Sequence, residues 1–199
     1  MRPLRARVSA RAAGAALAAC APHAHAHLVE TGLGPVYDGI AHFALTPEDL
    51  IPALTLAVLA GLRGTAHARR AIFALPLAWL VAGCAGIATG LAPPAALAWL
   101  PLVALGGLVA ADVRLSPPAT TTLAIVVGVF LGLANGYAMA RGGPGIRGVV
   151  GIAGAVFVVA TLAAAAAVAW QSGWLRIAWR VAGSWVAASG LLLLGWSLR

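Results

Sequence analysis

The chain has 199 residues, 62% of them apolar and only 9% charged, with thirteen basic residues, all arginine, against five acids and a net charge of +8. Soluble domains carry roughly 45–50% apolar and about 25% charged residues, so this chain has too few charges to clothe itself in water, whereas lipid tolerates an apolar exterior. The mean hydropathy of +0.96 agrees, and nucleic acid is excluded as a partner because the arginines are neither clustered nor interleaved with aromatics on a soluble domain.

In chain order, residues 1–26 read as an export signal: Arg2, Arg5, Arg7 and Arg11, an apolar run from Ala12 to Ala19, then small residues at cleavage spacing. Ala24-His25-Ala26 fits the cleavage pattern and would leave His27 at the new N-terminus. Ala19-Cys20-Ala21 is a competing site, and Leu17-Ala18-Ala19-Cys20 has the shape of a lipoprotein box. An N-terminal His27 would pair a free α-amine with an imidazole, two nitrogen donors that are neutral near physiological pH and can chelate a transition metal together. The plainer alternative makes His23, His25 and His27 a polar remnant of the leader.

Residues 27–46 form a ligand-rich segment ahead of the membrane domain, which is expected to occupy 47–199. Four of the five acids lie between residues 30 and 49, beside four of the five histidines between 23 and 42. If residues 36–45 are helical, Asp38 and His42 stand at i and i+4 on one face, where a carboxylate and an imidazole can share a divalent cation or pair with each other. Thr46-Pro47-Glu48-Asp49 reads as a helix start, with a capping Thr, a Pro suited to the first turn and an acid three residues after the cap.

Six apolar segments follow, at 47–63, 70–91, 95–111, 118–140, 147–169 and 177–197, each near the ~20 residues that cross a hydrocarbon layer. Pro93-Pro94, Pro117-Pro118 and Gly142-Gly143-Pro144-Gly145 punctuate them. The fold class expected is all-α, a polytopic membrane helical bundle of about six transmembrane helices after the signal peptide. Arg63, Arg69, Arg70, Arg114, Arg176 and Arg180 fall at one end of the spans and Arg141, Arg147 and Arg199 at the other. That bias puts the mature N-terminus in the periplasm of a bacterial inner membrane. Gly128, Gly132 and Gly136, spaced by four, and Gly83, Gly86 and Gly90 mark close helix packing in lipid. This signal is compatible with a homo-oligomer and silent about chemistry. Cys84 reads as a small apolar residue in mid-span, Asp112 with Arg114 as an interfacial pair, and His67 as a solvated loop residue.

Asn135 is polar, flanked by small residues, and set inside the fourth segment, where uncompensated polarity is costly; it lines a path or bonds between helices. No nucleophile elbow, His-Glu-x-x-His or phosphate loop is present, so nothing invites an enzymatic reading and no resident cofactor is expected.

The run Ala26-His27-Leu28-Val29 through Thr31-Gly32-Leu33-Gly34-Pro35-Val36-Tyr37-Asp38-Gly39 to His42, then Pro47-Glu48-Asp49-Leu50, and later Leu133-Ala134-Asn135-Gly136-Tyr137-Ala138, resembles the HupE/UreJ family. That family comprises small bacterial membrane proteins associated with hydrogenase and urease systems and regarded as nickel or cobalt permeases. The resemblance implies that His42, Asp38 and Asp49 answer the family's His- and Asp-bearing motif around the first helix. A His-Gly of the better-known branch corresponds to Asn135-Gly136 here, and its His-Pro and Asp-His doublets are missing. The functional expectation is a secondary permease for divalent nickel or cobalt with His27, Asp38, His42, Asp49 and Asn135 along its path; nitrogen and oxygen donors without thiolate suit such ions better than copper(I). The competing expectation is a non-transporting accessory or scaffold protein that assists metalloenzyme maturation.

Overall fold

The structure, a computed structural model, describes residues 30–198. The expected signal peptide and His27 lie outside the described residues. All regular structure among the described residues is helical. The α-helices are α1 (Pro35–Leu45), α2 (Pro47–Leu62), α3 (Thr65–Thr89), α4 (Leu100–Ala110), α5 (Pro117–Gly142), α6 (Gly145–Ala169) and α7 (Gly173–Ser197). The chain is an all-α polytopic membrane bundle.

Four helices, α3, α5, α6 and α7, are each long and apolar enough to cross a membrane, and α1 with α2, bent by 75° at their break, are long and apolar enough only together, as a broken span or a re-entrant loop. The expected six spans are therefore not six of a kind. The first, at 47–63, coincides with α2, whose 16 residues rise only about 24 Å against a ~30 Å hydrocarbon layer. The third, at 95–111, resolves into a 3-10 turn at Ala95–Leu97 and the 11-residue α4. Prolines account for this. Pro94 precedes the turn and Pro101 sits in the first turn of α4, where its missing N–H has no intrahelical partner to lose, so proline favours a helix start at each of these places.

Glycine decides how closely the long helices approach. A Cβ at Gly128 would meet the Leu75 carbonyl at 2.7 Å, one at Gly132 the Trp79 carbonyl at 2.5 Å, and one at Gly136 would fall on the Gly83 carbonyl. The expected packing stripe thus lies flat against α3, and the matching order of the contacts makes α3 and α5 parallel. Likewise α1 rests on α6, because Gly39 has room only for hydrogen against the Gly148 backbone and Gly151 only for hydrogen against Val36. The core between them holds Phe43, Leu56, Trp79, Met139 and Ile152, all essentially inaccessible.

α4 and α7 form an antiparallel pair at the rim, held by Gly106 against Ala187 and Gly183 against Ala110. α7 is the most peripheral span, with 11% of its apolar window buried against 39–44% for the other three.

Candidate functional site

α2 starts at Pro47, as the sequence signals, but Thr46 makes no side-chain cap. The acid's half of the capping box is also missing, because the acid is taken elsewhere. Asp49 turns inward, 4% exposed, and its Oδ1 accepts from Asn135 Nδ2 at 3.0 Å. Asn135 Nδ2 also donates to the Leu131 carbonyl at 3.0 Å, so both amide protons are used and the amide is fixed in one orientation.

His42 approaches from the last turn of α1, its Nε2 3.8 Å from Asp49 Oδ2. That spacing is too long for a hydrogen bond. The Asn135 side chain also neighbours the imidazole, yet Asn135 Oδ1 has no hydrogen-bond partner. The arrangement gathers His42 Nε2, Asp49 Oδ2 and Asn135 Oδ1 where α1, α2 and α5 meet, and of the three Asn135 Oδ1 is the buried atom without a hydrogen-bond partner. Buried polar atoms are normally satisfied, and each orphan needs an explanation.

Phe43, next to His42, packs edge to face on Trp79 of α3, ring centroids 5.8 Å apart. Trp79 is fully buried, and its Nε1 is another orphaned donor. Spacing marks Trp79 only as an aromatic in mid-span; its place follows from Gly132, which lets α5 lie against the Trp79 backbone.

Of the expected metal-site residues, His42, Asp49 and Asn135 come together and Asp38 does not join them. Asp38 Oδ1 accepts from the Thr31 backbone N–H and from Thr31 Oγ1, both at 2.7 Å. With Glu30, Gly34 and Gly143 it lines a separate open cleft of about 350 Å³. The i, i+4 pairing of Asp38 with His42 is therefore not formed. Each residue has a closer partner, Thr31 for Asp38 and Asp49 for His42. Among the described residues no three His, Cys, Asp or Glu side chains form a metal-binding group.

The opposite end of α2 carries a second polar cluster. Arg63, 7% exposed, donates through Nη2 to Asp112 Oδ1, and Arg176 donates through Nε and Nη2 to Asp112 Oδ2 at 3.0 and 2.8 Å. Asp112 thus pairs with these two arginines and not with Arg114. Desolvation pushes its carboxyl up, but the two guanidiniums prevail and hold it below the ordinary carboxylate value. His67 is also engaged, its Nδ1 3.0 Å from the hydroxyl of buried Thr120; Thr120 donates to the Ser116 carbonyl and so accepts from the imidazole. The expectation of a solvated His67 is corrected accordingly.

Fold and site together define a polytopic helical membrane protein with a half-buried imidazole beside a buried carboxylate and a buried amide at the break between α1 and α2. The model of the HupE / UreJ protein family matches residues 15–193. The chain belongs to the HupE/UreJ family, a family of transporters and accessory proteins associated with nickel and cobalt uptake or metalloenzyme maturation. No curated protein and no solved structure matches it.

Proposed function

We propose that the protein is a secondary permease for a divalent transition metal ion, nickel or cobalt, in the bacterial inner membrane, and that His42 and Asp49 are its central ligands. One observation carries this reading: His42 Nε2 and Asp49 Oδ2 face each other at 3.8 Å inside the protein without a hydrogen bond. A divalent ion holds nitrogen and oxygen donors at roughly 2.1 Å each, which sets the two donors about 3–3.7 Å apart at usual angles. A small closure of α1 onto α2 admits the ion. Asn135 Oδ1 supplies a third, neutral oxygen, and Asn135 Nδ2 keeps the carboxylate turned toward His42.

So few strong ligands suit passage better than storage, because an ion that must leave cannot be held by a complete coordination sphere. Asp38 and Glu30, lining the outer cleft, are placed to attract the cation before it reaches Asp49. No nucleotide-binding motif is present in the sequence, so a gradient or trapping after entry drives the movement.

The test is accumulation of radiolabelled nickel and cobalt at limiting metal in cells expressing the full chain. Asp49→Ala and His42→Ala are expected to reduce uptake at least tenfold at equal membrane abundance, and Asp38→Ala to reduce it two- to fivefold, since an outer attraction through water is worth about 1 kcal/mol or less. Unchanged uptake in Asp49→Ala would falsify the permease reading. Absence of uptake in the wild type, with metalloenzyme maturation still dependent on the protein, would favour the accessory role.

A further inference from the structure

Three of the six arginines at the Asp112 end have partners. Arg63 and Arg176 hold Asp112, and Arg180 Nε donates to the Ala110 carbonyl at 2.9 Å. Arg114, between α4 and α5, is exposed without one, and so are Arg69 and Arg70: neither of these two makes an ion pair or side-chain hydrogen bond among the described residues. They stand one turn inside α3 and, with Ala66 and Phe73, line a recess of about 440 Å³.

A second, apolar recess lies further along α3. Between α3 and α5 a trough of about 560 Å³ is floored by alanines, Ala74, Ala78 and Ala85 among them, and walled by Leu77, Val81 and Val129. Arg70, Ala74, Leu77 and Val81 follow at intervals of three or four, so a single strip of α3 leads from Arg70 to the trough. From Ala74 to Ala85 the helix rises about 16 Å, close to half of the ~30 Å hydrocarbon layer. Two unpartnered cations at the membrane surface thus stand at the head of an apolar trough one leaflet deep.

We propose that this is a binding site for one anionic phospholipid, with its phosphate on Arg69 and Arg70 and an acyl chain lying along the α3–α5 trough. The charge pattern favours this occupant. Basic recesses at helix ends recognise anionic headgroups, each nearby cation adding to the attraction, whereas a second copy of the chain would have to bring an acid to Arg69 and Arg70. All but one of the described acids, Asp112 excepted, lie at the other end of the bundle, and Asp112 is already doubly paired. The trough owes its depth to alanine where leucine would fill it.

The site is tested on the purified full-length protein, stripped of lipid and titrated with phosphatidylglycerol or phosphatidylcholine of identical acyl chains, with bound lipids counted by native mass spectrometry. One phosphatidylglycerol is expected to bind about tenfold or more tightly than phosphatidylcholine, and inorganic phosphate should not displace it. Arg69→Gln with Arg70→Gln should abolish the preference, while Val81→Trp, which projects into the trough, should weaken both lipids. If Val81→Trp does not fold, Ala74→Phe serves the same purpose. Equal binding of the two lipids, or an unchanged preference after the arginine substitutions, would overturn the proposal. So would a lipid-insensitive dimer that Val81→Trp dissociates, since a second copy would then occupy the trough.

Discussion

Asp112 is the one described non-glycine residue with positive φ, at 53°. It occupies the left-handed position that closes α4, where its N–H bonds to the Val109 carbonyl and that of Val113 to the Leu108 carbonyl. Glycine would be cheaper there by about 1 kcal/mol; the carboxylate is what glycine cannot supply. Asp112→Gly is accordingly expected to relieve the backbone and still lose about 1–2 kcal/mol net, because it leaves the little-exposed Arg63 without its counter-charge. Thermal unfolding of the purified protein measures this. The lowered Asp112 value also fixes a sign: the ion pairs contribute fully above the ordinary carboxylate pKa of about 4 and are lost as pH falls through the still lower folded value. Asp112→Asn should therefore cost stability at pH 7 and flatten the acid limb below about pH 4. The sequence led to Arg114 as partner because it is two residues away, whereas the true partners are 49 and 64 residues away. Asp49 and Asn135 were legible one by one, since polarity in an apolar chain stands out. Their bond to each other was not, because no periodicity links positions 86 residues apart.

Among the helices, the four long ones were easy to read, as each contains a long apolar stretch and begins at or just after a Gly or Pro. The break between α1 and α2 was harder. Eleven residues at Pro35–Leu45 are too few to span, and the helix is placed by a contact with α6 that sequence spacing cannot show. That contact is testable. Gly39→Ala would drive a methyl into the Gly148 backbone, and overpacking against main chain costs typically 1–3 kcal/mol. It should lift α1 and carry His42 away from Asp49, so metal uptake falls together with melting temperature. Gly107→Ala is the control. Nothing lies within 4 Å of a Cβ there, so the change should stabilise α4 by about 0.5–1 kcal/mol and leave uptake intact. A loss of uptake in both variants would separate the effect from α1 packing.

For the molecule as a whole, charge is sorted by end. Glu30, Asp38, Glu48 and Asp49 lie toward the α1 end, whereas Arg63, Arg69, Arg70 and Arg176 lie at the other. With Cys20 and Cys84 replaced by Ser, Glu30→Cys should react with a membrane-impermeant maleimide in intact spheroplasts and Arg70→Cys only after lysis; the reverse pattern would invert the proposed orientation. The bond between Asp49 and Asn135 has a further consequence, in time. Their separation of 86 residues, at synthesis rates of about 5–20 residues per second, means that Asp49 waits roughly 4–17 s for its donor. A carboxylate without a partner is costly in hydrocarbon, so during that interval the first turn of α2 is held at the water boundary. Seating of the broken span is then a late event, completed when α5 and α6 arrive, and a nascent chain ending before α5 has an anchored membrane helix but no site.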